Sequence, residues 1–230
     1  MVAAGYPYSG ICQVLDMNSS SIACPNLPSY PTSITLSAGG IVGDSPIICG
    51  GLLPSGRVDT CYRFEKTTNS WKLHASLNFK RSHNSGAVVK GALFIGGGMQ
   101  TNNDRSVSDI ASTDFIYSDG TVESGPDLPK AMHGHCMVTL PSGKVMILGG
   151  RKMKSVYIFD PEDNTFTSGP SMSYERGHLG CAIFNSPQHD NRPIVLAAGG
   201  YDQLTAEVYD YTNAEQWETS IHPIISNMQL

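Results

Sequence analysis

Short apolar runs alternate with polar turns along the chain, and most of them stop at a pair of glycines. Such runs occur at PIICGG (46–51), ALFIGGG (92–98), VMILGG (145–150) and VLAAGG (195–200), and MVAAGY at residues 1–6 is similar. The last glycines lie at positions 5, 51, 98, 150 and 200, so the spacings are 46, 47, 52 and 50 residues. A nearly constant spacing of this size indicates an internal repeat.

Each repeat is predicted to contain four short strands. In the fourth unit the strands are expected near 135–140, 145–150, 155–160 and 165–169, with turn-forming Pro, Gly, Asp and Asn residues between most of them. β-branched and aromatic residues fill these runs, and no segment has a sustained helical period. Because a four-stranded unit cannot bury both faces alone, neighbouring units must stack. The pattern predicts an all-β fold, a β-propeller.

The residues that follow the glycine pairs carry a family resemblance. Units two and five show it best, with the markers Gly50-Gly51, Tyr62, Trp71, Leu77 and Arg81, and Gly199-Gly200, Tyr209 and Trp217. This pattern resembles the Kelch repeat, although Val122 and Phe166 stand where units three and four would carry the tryptophan. The resemblance spans essentially the whole chain and implies a Kelch-type propeller. It implies little about function, because function is carried by the loops.

The repeat boundaries predict one domain over 1–230 with about five blades. We expect a partial blade over 1–31, blades over 32–78, 79–128, 129–172 and 173–222, and a tail over 223–230. This division predicts nineteen blade strands, three in the partial blade and four in each of the others. Kelch propellers commonly have six blades, so the resemblance implies an incomplete ring, that is, a fragment. The alternative is a five-bladed ring closed by the tail.

Six cysteines fall into three candidate disulfides, Cys12–Cys24, Cys49–Cys61 and Cys136–Cys181. The first two pairs flank turns, and opposed Cα atoms of an antiparallel hairpin lie about 4.5 to 5.5 Å apart, within disulfide range. The third pair falls on the predicted inner strands of neighbouring blades. The alternative is six free, buried thiols. Together with a glycosylation sequon at Asn18, the pairs favour an extracellular setting, with a cytoplasmic adaptor as the alternative.

The overall charge and hydropathy exclude two classes of partner. The net charge is −5 with 15% charged residues and no basic patch, so we expect no nucleic-acid partner. No apolar run reaches about 18 residues, so no insertion into a membrane is expected.

Candidate catalytic and metal motifs are weak. His133-Gly134-His135-Cys136 and His178-x-x-Cys181 superficially suggest a metal site, but on a strand His133 and His135 would face away from Cys136. The run Gly96–Gly98 lacks the Lys and Ser/Thr of a phosphate loop. We therefore expect no metal, no cofactor and no enzymatic activity. The resemblance leaves one alternative, an enzyme of the copper-oxidase or sugar-mutarotase type, since both use similar propellers.

The leading functional hypothesis is a protein-interaction module that binds through the loops on one propeller face. The loops over 53–59, 99–112, 151–154, 79–83, 130–135 and 174–178 are expected to meet there. Their candidate partner-binding residues are Arg57, Arg81, Asp104, Arg105, His133, Arg151, Lys152, Tyr174 and Arg176. Arg and Tyr are typical of interface hot spots. Arg81 and Arg176 recur in register, so a structural role is the alternative for these two.

The resemblance suggests two biological settings for such a module. Intracellular Kelch proteins often serve as substrate receptors of ubiquitin ligases, with a helical BTB–BACK region that this sequence does not contain. The competing setting is an extracellular adhesion or structural propeller.

Overall fold

The computed structural model describes residues 2–5, 9–13, 26–212 and 216–220, and these form antiparallel sheets and one short 3-10 helix. We number the sheets as blades 1 to 5 in chain order. Blade 1 contains β1 (Val2–Gly5), β2 (Ser9–Gln13) and β3 (Asn26–Leu27). Blade 2 contains β4 (Ala38–Val42), β5 (Ser45–Cys49), β7 (Gly56–Glu65) and β8 (Ser70–Arg81), and the short β6 (Leu52–Leu53) pairs with the start of β7.

The next three blades repeat this four-stranded order. Blade 3 contains β9 (Ser85–Val89), β10 (Ala92–Gly96), β13 (Thr113–Ile116) and β14 (Val122–Gly125), and its long loop holds the hairpin β11 (Met99–Thr101) and β12 (Val107–Asp109). Blade 4 contains β15 (His135–Thr139), β16 (Val145–Gly149), β17 (Val156–Asp160) and β18 (Thr165–Gly169). Blade 5 contains β19 (Gly180–Ser186), the 3-10 helix Pro187–His189, β20 (Arg192–Ala198), β21 (Ala206–Tyr209) and β22 (Glu218–Ser220).

The predicted strand pattern is confirmed in the described residues. Blades 1 to 5 contain the expected nineteen blade strands, and the three further strands β6, β11 and β12 lie in loops. In blade 4 all four predicted strands match within one residue. One predicted boundary differs, because β8 continues past residue 78 to Arg81, whose backbone still pairs with Val58 after a register shift.

The hydrophobic core lies between the blades. Inner strands β4, β9, β15 and β19 pack side by side in chain order, and strands β10 and β16 are buried along their whole length. At the junction of blades 3 and 4 the rings of Phe94 and Phe159 stack with centroids 4.6 Å apart. Stacking of neighbouring blades therefore provides the burial that one blade cannot provide alone. The blades form no closed ring within the part of the chain that the structure describes.

The glycine pairs connect consecutive blades. The last glycine of each pair donates a backbone hydrogen bond to a carbonyl oxygen in the loop that leads into the next blade. These bonds run from Gly51 to Arg81, from Gly98 to Met132 and from Gly150 to Arg176, at 2.7, 2.8 and 3.0 Å. At Gly98 the φ angle is 101°, and a Cβ would lie 2.6 Å from the carbonyl oxygen of Ser82. Only glycine fits this combination of backbone angle and close approach.

Two of the three candidate disulfides are present. Cys49 and Cys61 lie directly opposite each other on β5 and β7 and are bonded. Cys136 and Cys181 join the inner strands β15 and β19 of blades 4 and 5. Cys24, the sequon at Asn18 and the tail over 223–230 lie outside the described residues, as does the side chain of Cys12. The predicted Cys12–Cys24 disulfide therefore stays a prediction.

No helix among the described residues is long and apolar enough to span a bilayer.

Candidate functional site

One residue with a left-handed backbone precedes each inner strand of blades 2 to 5. These residues are Leu36, His83, Gly134 and His178, with φ angles of 59°, 57°, 63° and 59°. Their backbones are hydrogen-bonded in series, since His83 donates to Leu36, Gly134 to His83 and His178 to Gly134, at 2.9, 3.0 and 2.6 Å. The loops that lead into the inner strands, here called the leading loops, are thus tied together at one face of the propeller. Histidine is among the residues enriched in this backbone region.

Three histidines meet where the leading loops converge. The ring centroids of His83, His133 and His178 are 5.3 to 6.0 Å apart, with the rings steeply inclined to one another. We call these three side chains the imidazole cluster. His133 is buried, His83 is half-buried and His178 is exposed, so the cluster is open to solvent on one side.

Hydrogen bonds orient two of these rings. His133 donates from Nδ1 to a carboxylate oxygen of Asp109 at 2.8 Å, because a carboxylate can only accept. Arg57 Nε donates a hydrogen bond to the hydroxyl of Ser82 at 3.1 Å, and this hydroxyl also hydrogen-bonds Nδ1 of His83 at 3.0 Å, where either atom can be the donor. When Ser82 is the donor, neutral His83 carries its proton on Nε2, whereas neutral His133 has an unprotonated Nε2 because its Nδ1 donates to Asp109.

The cluster forms the floor of an open cleft of about 660 Å³. The lining comes from the leading loops and from the residues that follow the glycine pairs: His83, Met99, His133, Arg151, Lys152, Glu175, Gly177, His178, Tyr201, Asp202 and Gln203. The Tyr201 ring stands edge-on to His178 with centroids 5.5 Å apart. The backbone holds the wall in place, since Tyr201 donates to Gly177 at 2.8 Å and Arg151 donates to His133 at 3.0 Å.

Burial and neighbouring positive charge keep two of the imidazoles neutral. Burial, and after it the charges of His178, His133 and Arg57, lower the pKa of His83 to about 4, while Asp109 opposes the shift. The pKa of His178 is also lowered, first by burial and then by His133 and Arg151. Proton binding at any one imidazole therefore disfavours proton binding at its neighbours.

Comparison with known proteins supports the family interpretation. Residues 133–173, which contain the blade 4 strands and their leading loop, match the Kelch motif. The fold of the chain is that of a Kelch-type β-propeller. The solved structure of YjhT is similar in fold, with a TM-score of 0.70 and 17% sequence identity over 87% of this chain and 68% of YjhT. At this identity the likeness concerns the fold alone.

Three of the expected binding residues line the cleft of this Kelch propeller, namely His133, Arg151 and Lys152. Arg57 lies beside it, bonded to Ser82 and Thr101. Asp104 and Arg105 lie at the exposed tip of the β11–β12 hairpin and are not part of the cleft lining. Tyr174 is 42% exposed, and its ring lies 5.7 Å from the guanidinium carbon of Arg176.

Burial corrects the expected role of Arg81 and Arg176. Both side chains are fully buried, so their guanidinium groups are not available to a partner. Arg81 binds Asp114 at 2.8 Å together with the carbonyls of Gly97 and Ser112. Arg176 binds its carboxylate partner Glu207 at 2.9 Å and the carbonyls of Gly199 and Thr205. Both arginines therefore have the structural role that their recurrence at the same repeat position indicates as the alternative.

Blades 2 and 4 replace these ion pairs with apolar contacts. The residue two positions before the left-handed residue is Ile34 in blade 2 and Met132 in blade 4, both fully buried. Each packs in a cluster that includes a tyrosine, Tyr62 or Tyr157, at the position that corresponds to the carboxylate. Polar and apolar versions of the same contact therefore alternate around the propeller.

The backbone also corrects one step of the metal argument. His133 and His135 do not share a strand face, because β15 begins at His135 and Gly134 between them is left-handed. His133 faces the cleft, whereas His135 is buried, with Cε1 lying 2.7 Å from the position a Cβ on Gly97 would take. Among the described residues, no group of three His, Cys, Asp or Glu side chains has the geometry to hold a metal ion.

Sequence reasoning missed several lining residues. His83 and His178 lie in the predicted loops but are not among the candidate binding residues. The same holds for Met99 and Glu175, and the segment with Tyr201, Asp202 and Gln203 is not among the predicted loops. A usable signal existed, because Met99, Arg151 and Tyr201 each follow a glycine pair directly. That position lies on the loop face in every one of these blades.

Proposed function

We propose that this Kelch propeller is a non-catalytic protein-interaction module that binds its partner through the cleft and its rim. The observation that carries the proposal is the combination of exposed anchors with a rigid base. Tyr201 is 72% exposed and Leu204 is 74% exposed in the loop after the last glycine pair, and the exposed Arg151 lies across the cleft. Tyrosine and arginine on a preorganised scaffold are typical of binding hot spots.

The hydrogen-bonded leading loops supply that rigidity. The series from Leu36 through His83 and Gly134 to His178 fixes the floor of the cleft before any partner arrives. Loops held by a rigid scaffold lose little conformational freedom on binding, so more of the contact energy appears as affinity.

Substitutions in the cleft and its rim, compared with control substitutions of exposed residues on β8, test this proposal. Binding partners selected from a displayed peptide library would be measured against the wild-type chain and the variants Tyr201→Ala, Leu204→Ala and Arg151→Glu. Controls are Leu73→Ala, at a leucine that is 63% exposed on β8, and Lys72→Glu on the same strand. We expect each cleft variant to weaken binding about tenfold or more, which corresponds to about 1.4 kcal/mol, and the controls to have no effect. Equal binding by cleft and control variants would show that the partner uses another surface.

We also propose that the module works in an oxidising compartment, outside the cell or in the secretory pathway. The support is the pair of disulfides, one within blade 2 and one between blades 4 and 5. Intact mass after alkylation of the unfolded chain without reductant tests this. Protein made in an oxidising compartment should leave Cys49, Cys61, Cys136 and Cys181 unmodified, with peptides linked in these pairs. Alkylation of all four would instead favour the cytoplasmic adaptor.

A further inference from the structure

We propose that the imidazole cluster binds a carboxylate group of the partner and takes up one proton as it does so, so that affinity rises as the pH falls below neutrality. The inference rests on the proposed interaction role and names the chemistry of the contact at the centre of the face. The carboxylate comes from an Asp or Glu side chain or from a chain terminus.

The hydrogen bonds around the cluster leave one donor and one proton acceptor in place. We assign Ser82 as the donor to Nδ1 of His83, and in that tautomer His83 can donate from Nε2–H to a ligand. Because His133 donates from Nδ1 to Asp109, its Nε2 is the acceptor nitrogen of the neutral ring. A ligand oxygen between these rings would then receive two hydrogen bonds, one of them charge-assisted.

The positive and negative side chains around the cluster are equal in number when all three histidines are neutral. From blade 2 comes Arg57, from blade 3 Asp109, from blade 4 Arg151 and Lys152, and from blade 5 Glu175 and Asp202. Three cations thus face three carboxylates. One added negative charge with one added proton preserves this balance, whereas a phosphate or a polyanion would not. We therefore infer a single carboxylate as the ligand.

The remaining walls suit the carbon chain of an acidic side chain. Met99 and Tyr201 supply apolar surface beside the imidazoles, and the cleft of about 660 Å³ holds a side chain with its flanking backbone. Such a mixed lining, with a few converging polar groups on apolar walls, is typical of sites that orient one functional group.

Proton uptake follows because binding of the carboxylate and binding of a proton to the cluster are thermodynamically linked. The pKa values of His83 and His178 are lowered in the free protein, so both are largely neutral at pH 7. A bound carboxylate adds a negative charge near the rings and raises their pKa values, and by reciprocity a proton on the cluster strengthens carboxylate binding. Affinity should therefore increase as the pH falls through the bound-state pKa, by at most about tenfold per pH unit for one proton.

Three blocked peptides test the inference. Acetyl-Gly-Glu-Gly-amide carries a side-chain carboxylate, acetyl-Gly-Gly-Gly-OH carries a terminal one, and acetyl-Gly-Gln-Gly-amide carries neither. Their dissociation constants and the titration of each histidine would be measured by NMR on the whole chain between pH 4.5 and 8. We expect at least one acidic peptide to bind about tenfold more tightly at pH 5.5 than at pH 7.5 and to raise the pKa of a cluster histidine. The first two arms identify the source of the carboxylate.

Histidine variants place the effect in the cluster. His133→Gln and His178→Asn should abolish the pH dependence of acidic-peptide binding, and asparagine retains the left-handed backbone that position 178 requires. The control is His189→Gln in the 3-10 helix, outside the cleft lining. Retained pH dependence in both cluster variants, or binding of both acidic peptides no tighter than that of the Gln peptide, overturns the inference.

The inference and the proposed function fail in different ways. If the acidic peptides do not bind but Tyr201→Ala still weakens selected partners, the interaction face stands and the carboxylate inference is wrong. If selected partners are insensitive to every cleft variant, the proposed function is wrong, and acidic-peptide binding alone would then describe a small-molecule site.

Discussion

Arg81 and Asp114 form a fully buried ion pair with a 2.8 Å contact, between the end of β8 and the third strand of blade 3. Burial raises the pKa of Asp114, and Arg81 opposes that rise. Asn78 donates a further hydrogen bond to the same carboxyl group. The pair holds the leading loop of blade 3 against its own blade, as Arg176 and Glu207 do in blade 5.

Removing one partner of this pair should be costly. Arg81→Met leaves a buried carboxylate without its cation, and we expect the free energy of unfolding to fall by about 3 to 5 kcal/mol. The double variant Arg81→Met/Asp114→Tyr copies Met132 and Tyr157 of blade 4 and should recover most of that loss. Urea unfolding of the two variants and the wild type checks this. A double variant no more stable than the single one would show that the blades are not interchangeable at this position.

Alanine substitutions at Gly98 and Gly43 distinguish the stability cost of backbone strain from the cost of a close interblade contact. Both have positive φ angles, but a Cβ would meet Ser82 at Gly98 and nothing within 4 Å at Gly43. Gly43→Ala should cost about 1 kcal/mol from backbone strain alone. Gly98→Ala should cost about 3 kcal/mol, because the contact between blades must also open. Similar midpoints of urea unfolding for the two variants would contradict the packing role of the glycine pair.

His135 should make the fold sensitive to acid. Burial lowers its pKa from 6.5 to about 3, with His133 as the next cause. Because the folded state binds this proton less readily than the unfolded state, the stability contribution is complete above about pH 6.5 and is lost progressively as the pH falls towards 3. His83, whose pKa is lowered to about 4, adds a smaller part in the same direction.

The variant His135→Leu isolates the effect. Its unfolding free energy should decline less between pH 7 and pH 4.5 than that of the wild type, as measured by urea unfolding at each pH. His189→Gln serves as the control. An identical pH dependence in His135→Leu and wild type would assign the acid sensitivity to other groups.

The two described disulfides should differ in their contribution. Cys136–Cys181 closes 45 residues and Cys49–Cys61 closes 12. The chain-entropy relation then gives the longer loop about 1 kcal/mol more stabilisation. Thermal and urea unfolding of the variants Cys136→Ala/Cys181→Ala and Cys49→Ala/Cys61→Ala compares them directly. A larger loss from the hairpin pair would mean that native-state packing, rather than chain entropy, dominates.

Much of the fold could be predicted because its signals are local and repeated. Strands of blade 4, the glycine turns and the Cys49–Cys61 hairpin each depend on residues close in sequence. The recurrence of the four-stranded unit then predicts that neighbouring blades stack. The candidate site was predicted less well, because the residues that line the cleft come from three blades and no sequence spacing shows that they meet. Arg81 and Arg176 illustrate the limit, since the same residue type serves a buried ion pair or an exposed contact according to its surroundings.

The sequence by itself determined the β-propeller, the blade period and the loops that meet on one face, because strand alternation and turn chemistry act over a few residues. Only the tertiary structure decided which side chains those loops bring together. His83, His133 and His178 are separated by about 50 residues along the chain, yet their rings meet because backbone hydrogen bonds between neighbouring blades align the leading loops. Proximity, burial and the resulting pKa shifts arise from that packing and have no counterpart in the local sequence.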